Sequence, residues 1–520
     1  MMNTGFNWLD YIVLIGYLFA ILGVATLFVK EQKTLKDFFM ASRNMPWMAV
    51  GLSILATLLS AISITGAPAE FFENGHVMFG LWWIASILVT FFVVKFFVAT
   101  FVKLELTSAY EYLEKRFCLA VRLVASFLFM MIRGMYIGVV IYASAIILMP
   151  ALGGKVDMIW LIIGVGVFSA AFAVLGGMKA VIWTDVIQIV VVYIGIIWIC
   201  FTAFGRIDGG FSEVVKITFE QGKDFSYLSN PKYWSFDFFE KTTFFGLLIG
   251  FFFNDMAQKG SDQLTVQRYL TTGSVKASAK ALWVNVIGSI VIGLILTGVA
   301  MGLFAFYHVY PDAIDIESVG SNGILPYFIV TQMPHGLAGL FIAAIIAAIL
   351  STVDSGMNCL ATVTMTDFQI RLGKKQYTDD QNVWWARFWT ILWGLITTGL
   401  AVFIYVSSTE NIMRLSTKVL GLFSGPLLGI FLLGLLVPRA NSKGVIVGAV
   451  IGSVVTFWTN YGWVKIVDGQ PIHVSFVWPI VFGVLATCSV GYLVSIFTTP
   501  PSERQTAGLT YWSQNENIIE

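Results

Sequence analysis

Thirteen apolar stretches, most of them longer than twenty residues, succeed one another along this sequence of 520 residues. They run over about 8–29, 46–72, 77–102, 120–149, 157–177, 180–204, 242–257, 279–307, 336–360, 384–406, 412–437, 444–464 and 474–497. About twenty apolar residues in a helix cross the hydrocarbon of a bilayer, and a soluble core has no room for so many. Backbone polar groups in lipid are satisfied only in helices or closed barrels, and stretches of this length read as helices. Charged residues make up 12% of the chain, against about 25% in a typical soluble domain. The stretch from 8 to 29 exceeds a signal-peptide core and lacks a small-residue cleavage site, so it counts as a span. The expected fold class is therefore an all-α polytopic membrane protein with about thirteen transmembrane helices.

The remaining composition excludes several functions. A net charge of +1 gives no long-range field that would gather nucleic acid. Cys118, Cys200, Cys359 and Cys488 are scattered, and the four histidines are equally dispersed. We read the cysteines as packing residues. No HExxH, CxxC, P-loop or GxSxG sequence occurs, and no nucleophile with a base emerges, so the chain is not expected to be an enzyme. No Asn-x-Ser/Thr sequon occurs, which is compatible with a bacterial inner membrane protein. No obligate protein partner is evident, and the expected partners are lipid and small solutes.

Orientation is read from basic residues between spans. Lys30, Lys33, Lys36 and Arg43 fall in one connection, Lys259, Arg268, Lys276 and Lys280 in another, and Arg371, Lys374, Lys375 and Arg387 in a third. The stretch from His308 to His335 has no Lys or Arg. This alternation puts the N-terminus outside and the tail after Pro500 in the cytoplasm, although the lysines of the 205–241 loop weaken the count.

Three spans carry polar groups that lipid disfavours. The second holds Thr57, Ser60, Ser63 and Thr65, then Gly66 and Pro68, which predicts a helix interrupted within the bilayer. Such a break exposes carbonyls that coordinate a cation; a packing face of small residues is the alternative. The ninth span brings together Ser351, Thr352, Asp354, Ser355 and Asn358. An ionised Asp at mid-span costs roughly 2.5–3.5 kcal/mol, so it needs a partner. Hydroxyl, carbonyl and carboxylate oxygens are hard ligands that suit an alkali cation; hydrogen-bonded helix packing is the alternative. Asp185 is the third such group, either a cation ligand or proton carrier with Asp354, or a capping residue near a span end.

At these residues the sequence resembles the sodium/solute symporter family, which includes sodium-coupled sugar, sialic acid, proline, iodide, multivitamin and monocarboxylate carriers. The matching segments are Asp37-Phe38-Phe39 with Pro46-Trp47, TSAYEYLEKRF from Thr107 to Phe117, GGMKAVIWTDVIQ from Gly176 to Gln188, and DQLTVQRYL from Asp262 to Leu270. Leu350 to Asp367, Gly425-Pro426 and LVPRANSKG from Leu436 to Gly444 extend it over roughly residues 8 to 460. The resemblance implies a transporter core of two inverted five-helix repeats with discontinuous helices. Its segments are an extra N-terminal helix and loop (1–45), repeats at 46–204 and 242–437 around an extracellular loop (205–241), two further helices (438–497) and a cytoplasmic tail (498–520). It also implies Na+ as coupling ion, inward sodium movement driving uptake of a sugar, sialic acid or carboxylate by alternating access.

Carried over by residue, the main sodium site takes the carbonyls of Ala56, Leu59 and Ala348 and the hydroxyls of Ser351 and Thr352. A second sodium site falls on Asp185, Ser351, Asp354 and Ser355; at Asp354 many relatives carry Ser. The resemblance places the solute beside Ser60, Ser63, Met78, Trp82 and Tyr136, with Asp255 and Gln258 closing below. Trp82 and Trp83 either stack on a solute or face lipid. Arg133, about a turn from Tyr136, either pairs with a solute carboxylate or is a structural arginine. Sialic acid carriers supply an arginine where this sequence has Tyr136, which argues weakly against that solute. Local sequence around 137–143 and 350–353 looks closer to the monocarboxylate, multivitamin and iodide branch. An uncoupled channel or facilitator and proton coupling through Asp354 and Asp185 are the competing readings. A sensor would need an appended signalling domain, and none follows Pro500.

Overall fold

The computed structural model describes residues 6–28, 34–59, 61–75, 79–152, 156–315, 319–373, 377–407 and 412–516. Among them, ten helices are long and apolar enough to cross a membrane, or eleven if one bent pair is a single span. Lipid-facing surface is rich in large apolar side chains such as Phe19, Phe91, Trp160, Phe201, Phe403 and Phe457. The chain is a multi-pass membrane protein.

Helix α1 (Trp8–Leu27) starts where Asn7 accepts hydrogen bonds from the amides of Leu9 and Asp10. The second apolar stretch is two helices, α2 (Trp47–Leu58) and α3 (Ala61–Asn74). Next come α4 (Phe79–Val93), which continues through a wide π-helical turn to Lys103, and the short α5 (Tyr110–Arg116). Helix α6 (Leu119–Ala151) precedes α7 (Met158–Gly205), which is capped by Asp157. Gly177 divides α7, with φ +54° and ψ +174°, a region that is essentially glycine's alone and costs other residues about 1–3 kcal/mol. The two stretches predicted at 157–177 and 180–204 are therefore two helices meeting at a glycine.

The 205–241 loop contains α8 (Gly210–Glu220). Helix α9 (Phe244–Met256) ends in a π-helical turn, 257–261, and leads into α10 (Gln263–Leu270), whose N-terminus Asp262 caps. Then follow α11 (Val275–Val309), α12 (Ile324–Gln332), α13 (Leu337–Val363, extended by a π-helical segment to 373), α14 (Asp379–Ser407) and α15 (Ile412–Leu436). Helices α16 (Ser442–Tyr461) and α17 (Trp478–Ile496) close the bundle. A small antiparallel hairpin joins them, β1 (Val464–Val467) to β2 (Gln470–His473), with Val464 opposite His473. After it, α18 (Glu503–Thr506) and α19 (Tyr511–Glu516) lie against α5 and α15 through Tyr112 to the Leu509 carbonyl and Trp512 to the Leu436 carbonyl.

Helix α13 is the axis of the molecule, buried along nearly its whole length by α1, α6, α7 and α14. Its N-terminal amides point at the buried Asp10 carboxylate, which accepts from Gly336 N (2.6 Å) and Gly339 N (3.1 Å). That carboxylate replaces the intrahelical acceptors that a helix start lacks. Gly339 permits the approach, since a Cβ there would lie 2.3 Å from the Asp10 carbonyl.

Candidate functional site

The break in the second apolar stretch is centred on Leu59, whose φ −82° and ψ +87° leave the helix. The two flanking helical segments bend by 49°. Carbonyls at the end of α2 thereby lose their next-turn donors. One finds a donor across the molecule: Thr352 Oγ1 on α13 hydrogen-bonds the Thr57 carbonyl at 3.1 Å, and also the Ala348 carbonyl at 3.2 Å. Ala348, Ser351 and Thr352 share one face of α13 at i, i+3 and i+4, and all are buried, as are Ala56 and Leu59 on either side of Thr57. The broken helix and Thr352 are thus in direct contact. Every oxygen they present is neutral, and this set fits a small alkali cation.

A turn further along α13 lies a charged centre. Asp185 is fully buried in α7 rather than at a span end, and its Oδ2 accepts from Ser53 Oγ (2.5 Å), Thr57 Oγ1 (3.4 Å) and Arg268 Nη2 (3.2 Å). Arg268 also donates to Ser355 Oγ and, through Nε, to Ser53 Oγ at 2.9 Å. Asp354 Oδ1 accepts from Ser355 N at 2.6 Å. Asp354 Oδ2, Asp185 Oδ1, Ser351 Oγ and both side-chain polar atoms of Asn358 are buried without a partner of hydrogen-bond geometry. Arg268 pairs with Asp185 and reaches Asp354 only through Ser355, which leaves carboxylate oxygens able to take a further cation.

Arg268 reaches this centre from α10, whose eight residues are all buried. Each long polar side chain of α10 is tied to a different element. Gln263 Oε1 accepts from Ala109 N at 2.8 Å, and Gln267 donates to the Phe39 carbonyl at 2.7 Å. The capping residue Asp262 pairs with Arg133 of α6. Arg268 and Lys259, which the sequence reading counted among loop charges, are therefore interior residues and say nothing about orientation. A lysine or arginine held by a carboxylate at span depth mimics a loop charge in sequence.

Above α10 lies a cavity of about 100 Å³ lined by Leu55, Leu58 and Leu59 of the broken segment, by Ser63, and by Trp82, Trp83 and Ser86 of α4. Asp255 of α9 and Asn285 and Ser289 of α11 complete its polar wall. Trp82 packs on Phe251 with ring centroids 5.1 Å apart, and Trp83 lies over Gly293, where a Cβ would meet the indole at 2.6 Å. Both tryptophans face this cavity. Asp255 is paired with Lys259 at 2.8 Å, and Gln258 donates to Asn254 at 2.6 Å. The Arg133 guanidinium lies over the buried Tyr136 ring at 5.5 Å while Asp262 holds it. Ser60 and Met78 lie outside the described residues.

Sequence reasoning did not single out Lys259, Asn285 or Arg268 as site residues. The Asp255–Lys259 spacing of four, at the end of an apolar stretch, is the signal that marks a helical ion pair. Arg268 carried no such local signal, because its partner lies on a distant helix.

The sequence pattern of the sodium:solute symporter family matches residues 38–452. The sodium/sialic acid symporter NanT of Aliivibrio fischeri is 33% identical over 495 residues, which cover 95% of this chain and 94% of that protein. Sodium-coupled monocarboxylate transporter 1 of Homo sapiens is 31% identical over 458 residues, 87% of this chain and 73% of that protein. A solved structure of a Na+-coupled sialic acid symporter, in a substrate-bound outward-open state, superposes with a TM-score of 0.86 at 31% identity, over 96% of this chain and 99% of that one. Family, relatives and structure agree on transport driven by sodium, the use to which a cage of neutral oxygens at a helix break is suited, and this chain belongs to the sodium:solute symporter family.

Proposed function

We propose that the chain couples inward sodium movement to uptake of a small organic acid by alternating access, with sodium held by the Ala56, Leu59 and Ala348 carbonyls and the Ser351 and Thr352 hydroxyls. The observation that carries this reading is the Thr352 Oγ1 to Thr57 carbonyl hydrogen bond, which joins the unwound segment to α13 where the cage would close. An acid is favoured because the relatives named above carry sialic acid and monocarboxylates. The cavity shares Leu59 with the cage, so ion and solute stabilise the same conformation of the broken helix, and each raises the affinity of the other. Ser63, Trp82 and Asp255, which line that cavity, contact the solute there.

On this reading the chain has thirteen spans, ten of them in two inverted five-helix repeats, 46–204 and 242–437, with the N-terminus outside and the tail in the cytoplasm. A second sodium site at Asp185, Ser351, Asp354 and Ser355 shares its oxygens with Arg268. Proton coupling through Asp354 and Asp185 is the second reading, favoured by the partnerless Asp354 Oδ2.

Purified protein in proteoliposomes tests the proposal. Uptake of a radiolabelled acid is expected to require an inward sodium gradient and to collapse in the Ser351→Ala, Thr352→Ala double variant. Equal uptake with potassium or choline on both sides rejects sodium coupling, and uptake that follows an imposed proton gradient supports the second reading.

A further inference from the structure

Built from none of the elements around the solute cavity, a second and apolar groove of about 430 Å³ lies between α7 and α14, lined by Ala170, Ala171 and Val174 of the one and by Ile391, Leu395 and Thr398 of the other. The two helices touch along its floor: a Cβ on Gly166 would overlap Thr398 Oγ1, and one on Gly394 would meet the Ala170 Cβ at 2.6 Å. Val167, Ile391 and Leu395 are exposed along its rim, so it opens sideways into lipid. Seven residues beyond the Ala170–Gly394 contact, two turns along each of these antiparallel helices, Arg387 of α14 stands level with Gly177, where α7 bends. Arg387 shares the groove face of α14 with Ile391, Gly394 and Thr398, at i+4, i+7 and i+11. It is half-buried, its Nε is buried without a hydrogen-bond acceptor, and no carboxylate among the described residues pairs with it. Arginine keeps its charge, so a buried donor of this kind is costly until an anion reaches it. Beside it Trp384 and Phe388 stack at 5.7 Å with planes 10° apart and project outward, as aromatic rings do at the headgroup level of a bilayer.

We infer that this groove binds one phospholipid with an anionic headgroup, its phosphate on Arg387 and an acyl chain along the groove. Charge, depth and volume each support that occupant. Arg122, Arg133 and Arg268 have carboxylate partners in Asp367, Asp262 and Asp185, whereas Arg387 has none, and a phosphate brings acceptors that match its planar fork. A zwitterionic headgroup sets its own ammonium beside the phosphate, which weakens the attraction. A basic pocket between transmembrane helices is a recurrent way of holding an anionic headgroup. From Arg387 to Thr398 is roughly 16 Å at 1.5 Å per residue, about half of a hydrocarbon core some 30 Å thick, so a chain that enters beside Arg387 runs to the bilayer midplane. A cavity of about 150 Å³ takes one benzene ring, and the groove therefore takes roughly seventeen carbons, an acyl chain of ordinary length. Both α7 and α14 pack on α13, so a filled groove braces the helix that carries Ser351 and Thr352.

Thermal unfolding of delipidated protein in detergent tests this, in titrations with phosphatidylglycerol, with phosphatidylcholine of the same chains and with soluble glycerol phosphate. Phosphatidylglycerol is expected to stabilise the protein at concentrations about tenfold lower than phosphatidylcholine, and glycerol phosphate, which has no chain, to leave it unchanged. Arg387→Gln removes a charge that has no protein partner, so the fold should survive it while the preference for phosphatidylglycerol disappears; Arg387→Lys should keep part of that preference. Ala171→Trp fills the groove from its exposed rim and is expected to weaken both lipids alike. Native mass spectrometry of the unaltered protein gives a measurement that needs no variant, with one retained phosphatidylglycerol expected in an equal mixture of the two lipids. Equal stabilisation by the two lipids, an undiminished preference in Arg387→Gln, unchanged binding of both in Ala171→Trp, or retention of no phosphatidylglycerol overturns the inference. Stabilisation by glycerol phosphate to the same extent overturns it as well, and would assign Arg387 to a free anion.

Discussion

At the scale of single residues, the cage and the charged centre beside it respond oppositely to substitution. Thr352→Ala removes a hydroxyl that joins α13 to the unwound segment, and sodium affinity is expected to fall about tenfold, with Thr352→Ser retaining most of it. A sodium titration of thermal stability measures both. In the second centre, Arg268→Gln leaves the buried Asp185 carboxylate without its cation, and breaking a buried pair costs about 3–5 kcal/mol. Asp354→Ser removes the surplus carboxylate and is expected to raise the unfolding temperature in potassium while flattening its dependence on sodium. A lower unfolding temperature for Asp354→Ser in potassium would show that this carboxylate is already compensated. The sequence made Ser351, Thr352, Asp354 and Asp185 legible because polar groups at span depth contradict their surroundings. Arg268 and Lys259 stayed hidden because a buried cation and a loop cation look alike until the partner carboxylate is located.

At the scale of elements, the helix breaks were readable and the short helices were not. Thr57 to Pro68 announced an interruption, and the structure puts it at Leu59. Helix α12, within the stretch from His308 to His335, gave no sign, since nine residues are too few for a hydropathy signal. The charged contacts of α5 were equally hidden. Glu114 accepts from Arg371 Nε at 2.8 Å and from Arg122 Nη1 at 2.8 Å, and Arg122 also pairs with Asp367 at 2.5 Å. The Arg371 hydrogen bonds, then the Arg122 bond, hold the Glu114 carboxyl below its ordinary pKa. A carboxyl with a depressed folded pKa stabilises the fold above its unfolded pKa, and that contribution is lost as pH falls through the folded value. Glu114→Gln is therefore expected to lower thermal stability at pH 7, by no more than about 1 kcal/mol for so exposed a pair, and to make little difference near pH 3. An equal penalty at both pH values would assign the effect to packing.

At the scale of the whole molecule, the number of occupied cages sets the electrical behaviour. One sodium with one monovalent acid moves no net charge, whereas two sodium ions with the same acid carry one positive charge inward. An inside-negative potential of 100 mV then contributes about 2.3 kcal/mol to accumulation. Uptake of the radiolabelled acid at imposed potassium-diffusion potentials distinguishes these cases: voltage-independent uptake means one sodium, and steep dependence means two. Asp354→Ser is expected to reduce the voltage dependence if the second cage supplies the extra ion.

Helix α10 also bears on how the protein is made. Its polar side chains find their partners on segments as far apart in the chain as Phe39, Asp185 and Ser355. The last of these leaves the ribosome well after α10 itself, so α10 has no dry destination at the time of its own synthesis. It must wait at the water boundary until α13 has been delivered, and insertion of the interior is therefore out of step with translation. Ribosome-stalled chains ending near residue 310 should leave α10 open to protease, and chains ending near residue 410 should protect it.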